Sequence, residues 1–337
     1  MRRSHRPRWI TAIAVVAILA VGLGLVPAQT ESPPDEQTAE DCTLVNGHEV
    51  CIDESGTPYV IDPVLLAASG TSKDGIPSID HPQFVSAAEA NEWLADDEIV
   101  VAVAYKGVER VYPLRILVWH EIVNDVVADD PLLISYCPLC VSAAAYARQI
   151  DGEPVEFGTS GMLYNSNLVM YDRRTETYWS QMDGLAIVGD LSGRELTPVS
   201  IDTVGWGKWR AAHPNSEVLS LDTGFDRDYG RDPYSDYYAN GYICFPVQGR
   251  DDRIQPMAVI FGIEMDGVSV AYREDDLIER GVIEDRINDV RIRISRDTTG
   301  AVTVQTIGTQ EAVGSTRAFW FSWVAFHPDT RLYLPSG

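Results

Sequence analysis

The sequence predicts an α+β fold in which strand dominates, built from two degenerate homologous halves with a few short helices. Three observations carry that expectation. Short apolar or alternating runs are bounded by Gly, Asp, Asn and Ser, the punctuation of hairpins rather than of alternating strands and long helices. Residues 99–116, with Lys106-Gly107 between two strand-like runs, are echoed by residues 259–273 around Asp266-Gly267, so that Val103, Gly107, Val108 and Tyr112 match Ile263, Gly267, Val268 and Tyr272. Finally, Trp206-x2-Trp209-x3-His213-Pro214 recurs as Trp320-x2-Trp323-x3-His327-Pro328. Tryptophan is rare, and the three-to-four spacing suits one face of a short helix stopped by proline.

The elements follow in order. Arg2, Arg3, Arg6 and Arg8 precede an apolar run from Trp9 to Val26, so residues 1–28 read as a signal peptide or an N-terminal membrane anchor. Both alternatives place the remainder outside the cytoplasm, with the membrane touched only through this segment. Residues 29–70 read as an acidic linker, within which Asn46-Gly47 turns a hairpin that faces Cys42 to Cys51 as a structural disulfide. Ser86 caps a helix over 86–94. Strands are expected at 154–158, 168–172, 186–188 and 302–307, and helices at the two Trp segments. The halves span about 97–222 and 257–335. In domain terms, 71–222 carries the candidate site, 223–256 is a Tyr-rich connection, and 257–337 is a shortened second half. An Asn124-Asp125 pair is matched to Asn288-Asp289, whereas Arg280 falls where His120 stands in the first half.

Composition excludes some partners. The chain carries 50 acidic against 26 basic residues, a net charge of −24, and four of its arginines lie in the first 28 residues. Such a balance argues against nucleic acid and against an anionic membrane surface. No dinucleotide fingerprint, phosphate loop, His-Glu-x-x-His or Gly-x-Ser-x-Gly occurs, so no nucleotide cofactor is expected. The partner is an unidentified small molecule or a surface partner.

The chemistry-bearing motif is Tyr136-Cys-Pro-Leu-Cys140. Two thiols so spaced close a disulfide, cycle as a redox dithiol, or clamp a soft metal ion. A thioredoxin-like site needs a helix after the pair, but Ala143–Arg148 reads as a strand leading to Asp151-Gly152, which predicts a hairpin. As metal ligands, Cys137 and Cys140 are joined by His120, with Met162, Met170 or Cys244 as a fourth donor. Thiolate, imidazole and thioether suit copper better than zinc, which wants four N/S donors. His120 sits among Leu117, Trp119 and Ile122, where a core role competes with ligation, and Glu121 or Asp125 is placed to orient it. Arg115, Tyr164 and Asn165 are candidate catalytic residues, although Asn165-Ser166-Asn167 also reads as a turn. Tyr229–Tyr238 reads as a lid or as an ion-paired connection.

Asp74-Gly-Ile-Pro77, Tyr112-Pro-Leu-Arg-Ile-Leu117, His120-Glu-Ile-Val-Asn-Asp125, the cysteine motif and Leu163-Tyr-Asn-Ser-Asn-Leu-Val-Met-Tyr-Asp172 stand in that order. With Trp179-Ser-Gln181, Arg227-Asp-Tyr-Gly-Arg-Asp-Pro-Tyr234 and Phe326-His-Pro-Asp-Thr330, they give the chain a resemblance over roughly 71–335. It resembles the exported bacterial and archaeal family catalogued as domain of unknown function 3179. Members usually have Gly-Thr after the second cysteine, where this chain has Val141-Ser142. The resemblance implies export and brings no activity with it. The expected function is a soft-metal or thiol redox site, with a metal- or thiol-dependent oxidoreductase as the enzymatic form. The alternative is a non-catalytic cell-surface binding or assembly module whose cysteine pair is a brace.

Overall fold

The computed structural model describes residues 42–298 and 300–335. The expected signal or anchor, and residues 29–41 of the linker, lie outside the described residues. Among those described, no helix is long and apolar enough to cross a membrane. Strand dominates as the sequence predicts, and the longest α-helices have seven residues.

In the first half, Ile99–Tyr105 and Val108–Pro113 pair antiparallel around the Lys106-Gly107 turn, both of whose residues have positive φ. Asp202–Gly205 extends this sheet on one side, and Glu217–Leu219 pairs parallel with Val108–Pro113 on the other. The chain then enters the Leu114–His120 helix and a second antiparallel sheet of Ile122–Val127, Asp130–Cys137 and Ser142–Ala147.

Residues 259–296 run through the same order: strands Val259–Met265 and Val268–Arg273, helix Glu274–Arg280, strands Val282–Ile287 and Val290–Arg296. Thr316–Phe319 flanks antiparallel and Arg331–Leu332 parallel, as their counterparts do. Both Trp segments are helices, Trp206–Ala212 and Trp320–Phe326. In each, the second Trp lies against the following His, with ring centroids 3.9 and 3.8 Å apart. The expected match of Asn124-Asp125 to Asn288-Asp289 needs correction. Asn288 occupies a turn at φ 50°, and it is Asp285 that takes the buried tyrosine hydroxyl, Tyr272 Oη at 2.7 Å, as Asp125 takes Tyr112 Oη at 2.6 Å.

An eight-stranded sheet covers the site. Its longest strands are the Phe157–Tyr164 and Asn167–Asp172 hairpin towards one edge, followed inwards by Tyr178–Ser180 and Ala186–Val188 at the centre. The remaining strands come from the segment read as linker. Cys42 and Cys51 are disulfide-bonded across the Thr43–Val45/His48–Ile52 hairpin, turned at Asn46-Gly47 with φ of 51° and 89°. Pro58–Tyr59 joins that hairpin to Val188, and Ala67–Ala68 pairs with Met162 and Leu163. Residues 42–68, read from the sequence as part of an acidic linker, therefore belong to a sheet. The hairpin pairs locally, but Tyr59 is tied to Val188 and Ala67–Ala68 to Leu163 and Met162, distant partners that local composition does not register.

Candidate functional site: a buried thiol pair on a hairpin tip

Cys137 ends one strand and pairs in register with Ser142 at the start of the next, so Pro138-Leu139-Cys140-Val141 is the tip of a β-hairpin. Cys140 N–H donates to Cys137 O at 3.2 Å and Val141 N–H to Pro138 O at 3.4 Å. Closing this turn puts Val141 at φ 49°. The left-handed region is strained for a β-branched residue and free for glycine. Phe319 N–H, from the second half, donates to Cys140 O at 2.8 Å. The two halves thus meet at this tip.

Both cysteines are free and almost wholly buried, at 1% and 0% exposure. Their sulfurs face the same acceptor, the Ser166 carbonyl, 4.0 Å from Cys137 Sγ and 3.3 Å from Cys140 Sγ. Asn165 and Ser166 take φ of 50° and 62° to turn the hairpin between Tyr164 and Asn167, and this turn delivers the carbonyl. Burial pushes the Cys137 thiol well above its ordinary value, and the bond to Cys140 adds to the rise. Burial also raises Cys140, but hydrogen bonds from Cys137, Ser322 and Asn167 outweigh it and bring that thiol below the usual value.

Polar groups in the surrounding shell are only partly paired. Gln181 gathers Ser142 Oγ at 3.1 Å, Asn167 Nδ2 at 3.0 Å and Ser135 Oγ at 3.2 Å in the interior. Among the described residues, the Ser166 hydroxyl and Asn167 Oδ1 have no hydrogen-bond partner, and the Ser322 hydroxyl has none beyond the Cys140 sulfur that it faces. Such groups are rare in native interiors and costly.

Glu121 is the residue whose importance sequence reasoning underrated. It follows the Leu114–His120 helix at φ 58°, a left-handed cap that Gly281 fills after the Glu274–Arg280 helix. Burial raises its carboxyl to about 7, against the Tyr234 hydroxyl, which donates to it at 3.0 Å. Its charge also bears on both thiols. The available signal was a glutamate at a helix C-terminus where glycine is the usual residue.

The other expected residues are distributed as follows. His120 is fully buried, with Nδ1–H donating to Pro77 O at 2.8 Å and Nε2 accepting from Tyr229 Oη at 2.7 Å. Both ring nitrogens are thereby engaged. Burial lowers its pKa, so the imidazole is neutral. Among the described residues, no three His, Cys, Asp or Glu side chains converge as a metal-ligand set. Met170 packs in the same apolar cluster as the thiols, while Cys244 is exposed. Arg115 is held by Glu98 at 2.6 and 2.7 Å and by Trp93 O at 2.9 Å. Tyr164 bonds Gln248, and Asn165 ties the Ala325 carbonyl and the Gln248 amide to its turn. These three residues do not reach the sulfurs through any hydrogen bond of their side chains.

The Tyr-rich connection straps the hairpin tip. Tyr237 Oη donates to Leu139 O at 2.9 Å and Tyr238 Oη to Pro138 O at 3.1 Å. Beside the strap lies a cavity of about 340 Å³. Tyr136 and Val141 form part of its wall, but neither cysteine does.

The profile of the family described as "Protein of unknown function (DUF3179)" matches residues 73–316. The chain belongs to that family. The matched span of DUF3179 contains the cysteine hairpin, Glu121, the Asn165–Asn167 turn and the tyrosine strap, and stops just before Ser322. No curated protein and no solved structure matches this DUF3179 chain.

Proposed function

We propose that Cys137 and Cys140 hold a soft monovalent metal ion of the copper(I) type, and that the protein retains or transfers such an ion outside the cytoplasm. One observation carries the reading. Two free, buried thiols face one carbonyl, that of Ser166, in an interior where the Ser166 hydroxyl and Asn167 Oδ1 lack hydrogen-bond partners among the described residues and the Ser322 hydroxyl faces only the Cys140 sulfur. Soft thiolates select copper(I), which is satisfied by two of them, whereas zinc asks for four donors. Binding replaces the two thiol protons by one cation. The residual negative charge on sulfur is then met by the Ser322 hydroxyl and the Asn167 amide. In this reading His120 is not a ligand, because releasing Nε2 would break its bond to Tyr229.

A second reading is a redox dithiol, favoured by two free sulfurs that converge on one acceptor, the Ser166 carbonyl, at 4.0 and 3.3 Å. Two thiols would give one disulfide, two protons and two electrons, the electrons reducing a disulfide of an exported partner to two thiols. In either case the site is unique to the first half. We infer that the shared element order of the halves reflects a duplication, after which only the first half carried cysteines at this hairpin and Glu121 at the cap.

Metal content and thiol titration separate the readings. The full chain, reconstituted with copper(I) under reductant and desalted, is expected to retain about one copper. Cys137→Ser/Cys140→Ser should retain none. No retained copper with a readily reduced disulfide favours the dithiol. No copper and unreactive sulfurs leave a static brace in a surface module.

A further inference from the structure

We propose that the cavity beside the cysteine hairpin binds a small organic carboxylate with an apolar body. Its volume of about 340 Å³ lies at the small end of ligand pockets. Part of the wall is apolar, from Ile99, Leu114, Val118 and Val141. The rest bears three guanidinium groups, in a chain whose net charge is −24.

These arginines are not equivalent. Arg115 is saturated by Glu98 and the Trp93 carbonyl, so it shapes the wall. Arg317 spends Nε and Nη2 on Glu274, at 3.2 and 3.3 Å, which leaves Nη1. Arg231 has no ion pair or side-chain hydrogen bond among the described residues, and stands 5.9 Å from the centre of the Trp119 ring. Asp232, on the same wall, accepts the Tyr234 amide at 2.8 Å and forms no ion pair with either arginine. An unpaired guanidinium fork matches a carboxylate in shape and charge, and the apolar wall favours a body that phosphate lacks.

The inference does not rest on the metal reading, since neither thiol lines the cavity. Calorimetric titration of the full chain with benzoate tests it, with the neutral isostere benzamide and inorganic phosphate as controls. Saturable one-site benzoate binding is expected, with little heat from either control. Arg231→Gln, which breaks no hydrogen bond or ion pair of the fold, should weaken benzoate at least about tenfold, and Arg317→Gln should weaken it as well. Cys137→Ser/Cys140→Ser should bind benzoate like the wild type, whatever its metal content. No benzoate binding, equal binding of benzamide, or unchanged affinity in Arg231→Gln overturns the proposal. Phosphate binding as tight as benzoate overturns the apolar-body class.

Discussion

Asn124 pairs with Phe157 as though its side chain were backbone. Asn124 Nδ2 donates to Phe157 O at 2.8 Å, and Phe157 N–H donates to Asn124 Oδ1 at 2.9 Å. The same Nδ2 also reaches Asp80 Oδ1 at 2.7 Å. This amide joins the sheet that ends in the cysteine hairpin to the sheet that supplies the Ser166 carbonyl, so it fixes the spacing between thiols and acceptor. Asn124→Leu leaves a buried amide and a buried carbonyl unpaired, a loss of about 2–4 kcal/mol. Urea unfolding checks this. A loss below about 1 kcal/mol would show that the two sheets are held by other contacts.

The Cys42–Cys51 bond closes a ten-residue hairpin that supplies the first two strands of the eight-stranded sheet. Replacing both residues by serine is expected to cost about 2–3 kcal/mol through the loop entropy released in the unfolded chain. Denaturation without reductant should show that loss, while the count of buried thiols stays at two from Cys137 and Cys140. If stability is unchanged, the hairpin is secured by its pairing to Pro58–Tyr59 alone.

Much of this was legible locally. Asn46-Gly47 announced the first hairpin, Ser86 a cap (though of a single turn, Ala87–Ala90, and not of the helix expected to residue 94), and the absence of a helix after Cys140 announced the thiol-bearing turn. What escaped was set by distant partners. His120 binds groups 43 and 109 positions away, and Arg115 turns to Glu98, so neither role could be read from neighbours in the chain. The Ser166 contribution is a main-chain carbonyl aimed by a left-handed turn, and side-chain chemistry gives no hint of it. Glu121 was seen only as an orienter of His120, because the left-handed cap that buries its carboxyl follows from backbone geometry.

Tyr237 and Tyr238 hold the hairpin tip by two hydroxyls on consecutive carbonyls. Each bond is worth roughly 1 kcal/mol, so removing both should raise the open fraction of the tip about 30-fold. Tyr237→Phe/Tyr238→Phe is therefore expected to react faster with a small aromatic disulfide, by about that factor, under conditions where opening limits the rate. Stopped-flow thiol titration of the reduced, metal-free chain gives the ratio. Equal rates would mean that the sulfurs are reached by another path.

Glu121 sets a pH signature. Burial raises its carboxyl from the ordinary 4.5 to about 7, so the folded state prefers the protonated acid. Its contribution to stability is fully present below about 4.5 and is lost as pH rises through 7. Glutamine keeps an acceptor for the Tyr234 hydroxyl without the buried charge. Glu121→Gln should match the wild type below about pH 4.5, gain on it as pH rises to 7, and level off above, with a final advantage on the order of 3 kcal/mol. Shifts at groups that do not sense the Glu121 charge are common to both proteins and cancel in the difference. Parallel unfolding profiles from pH 5 to 8 would show that Glu121 is ionised in the fold throughout, and that its charge is met by a donor other than Tyr234.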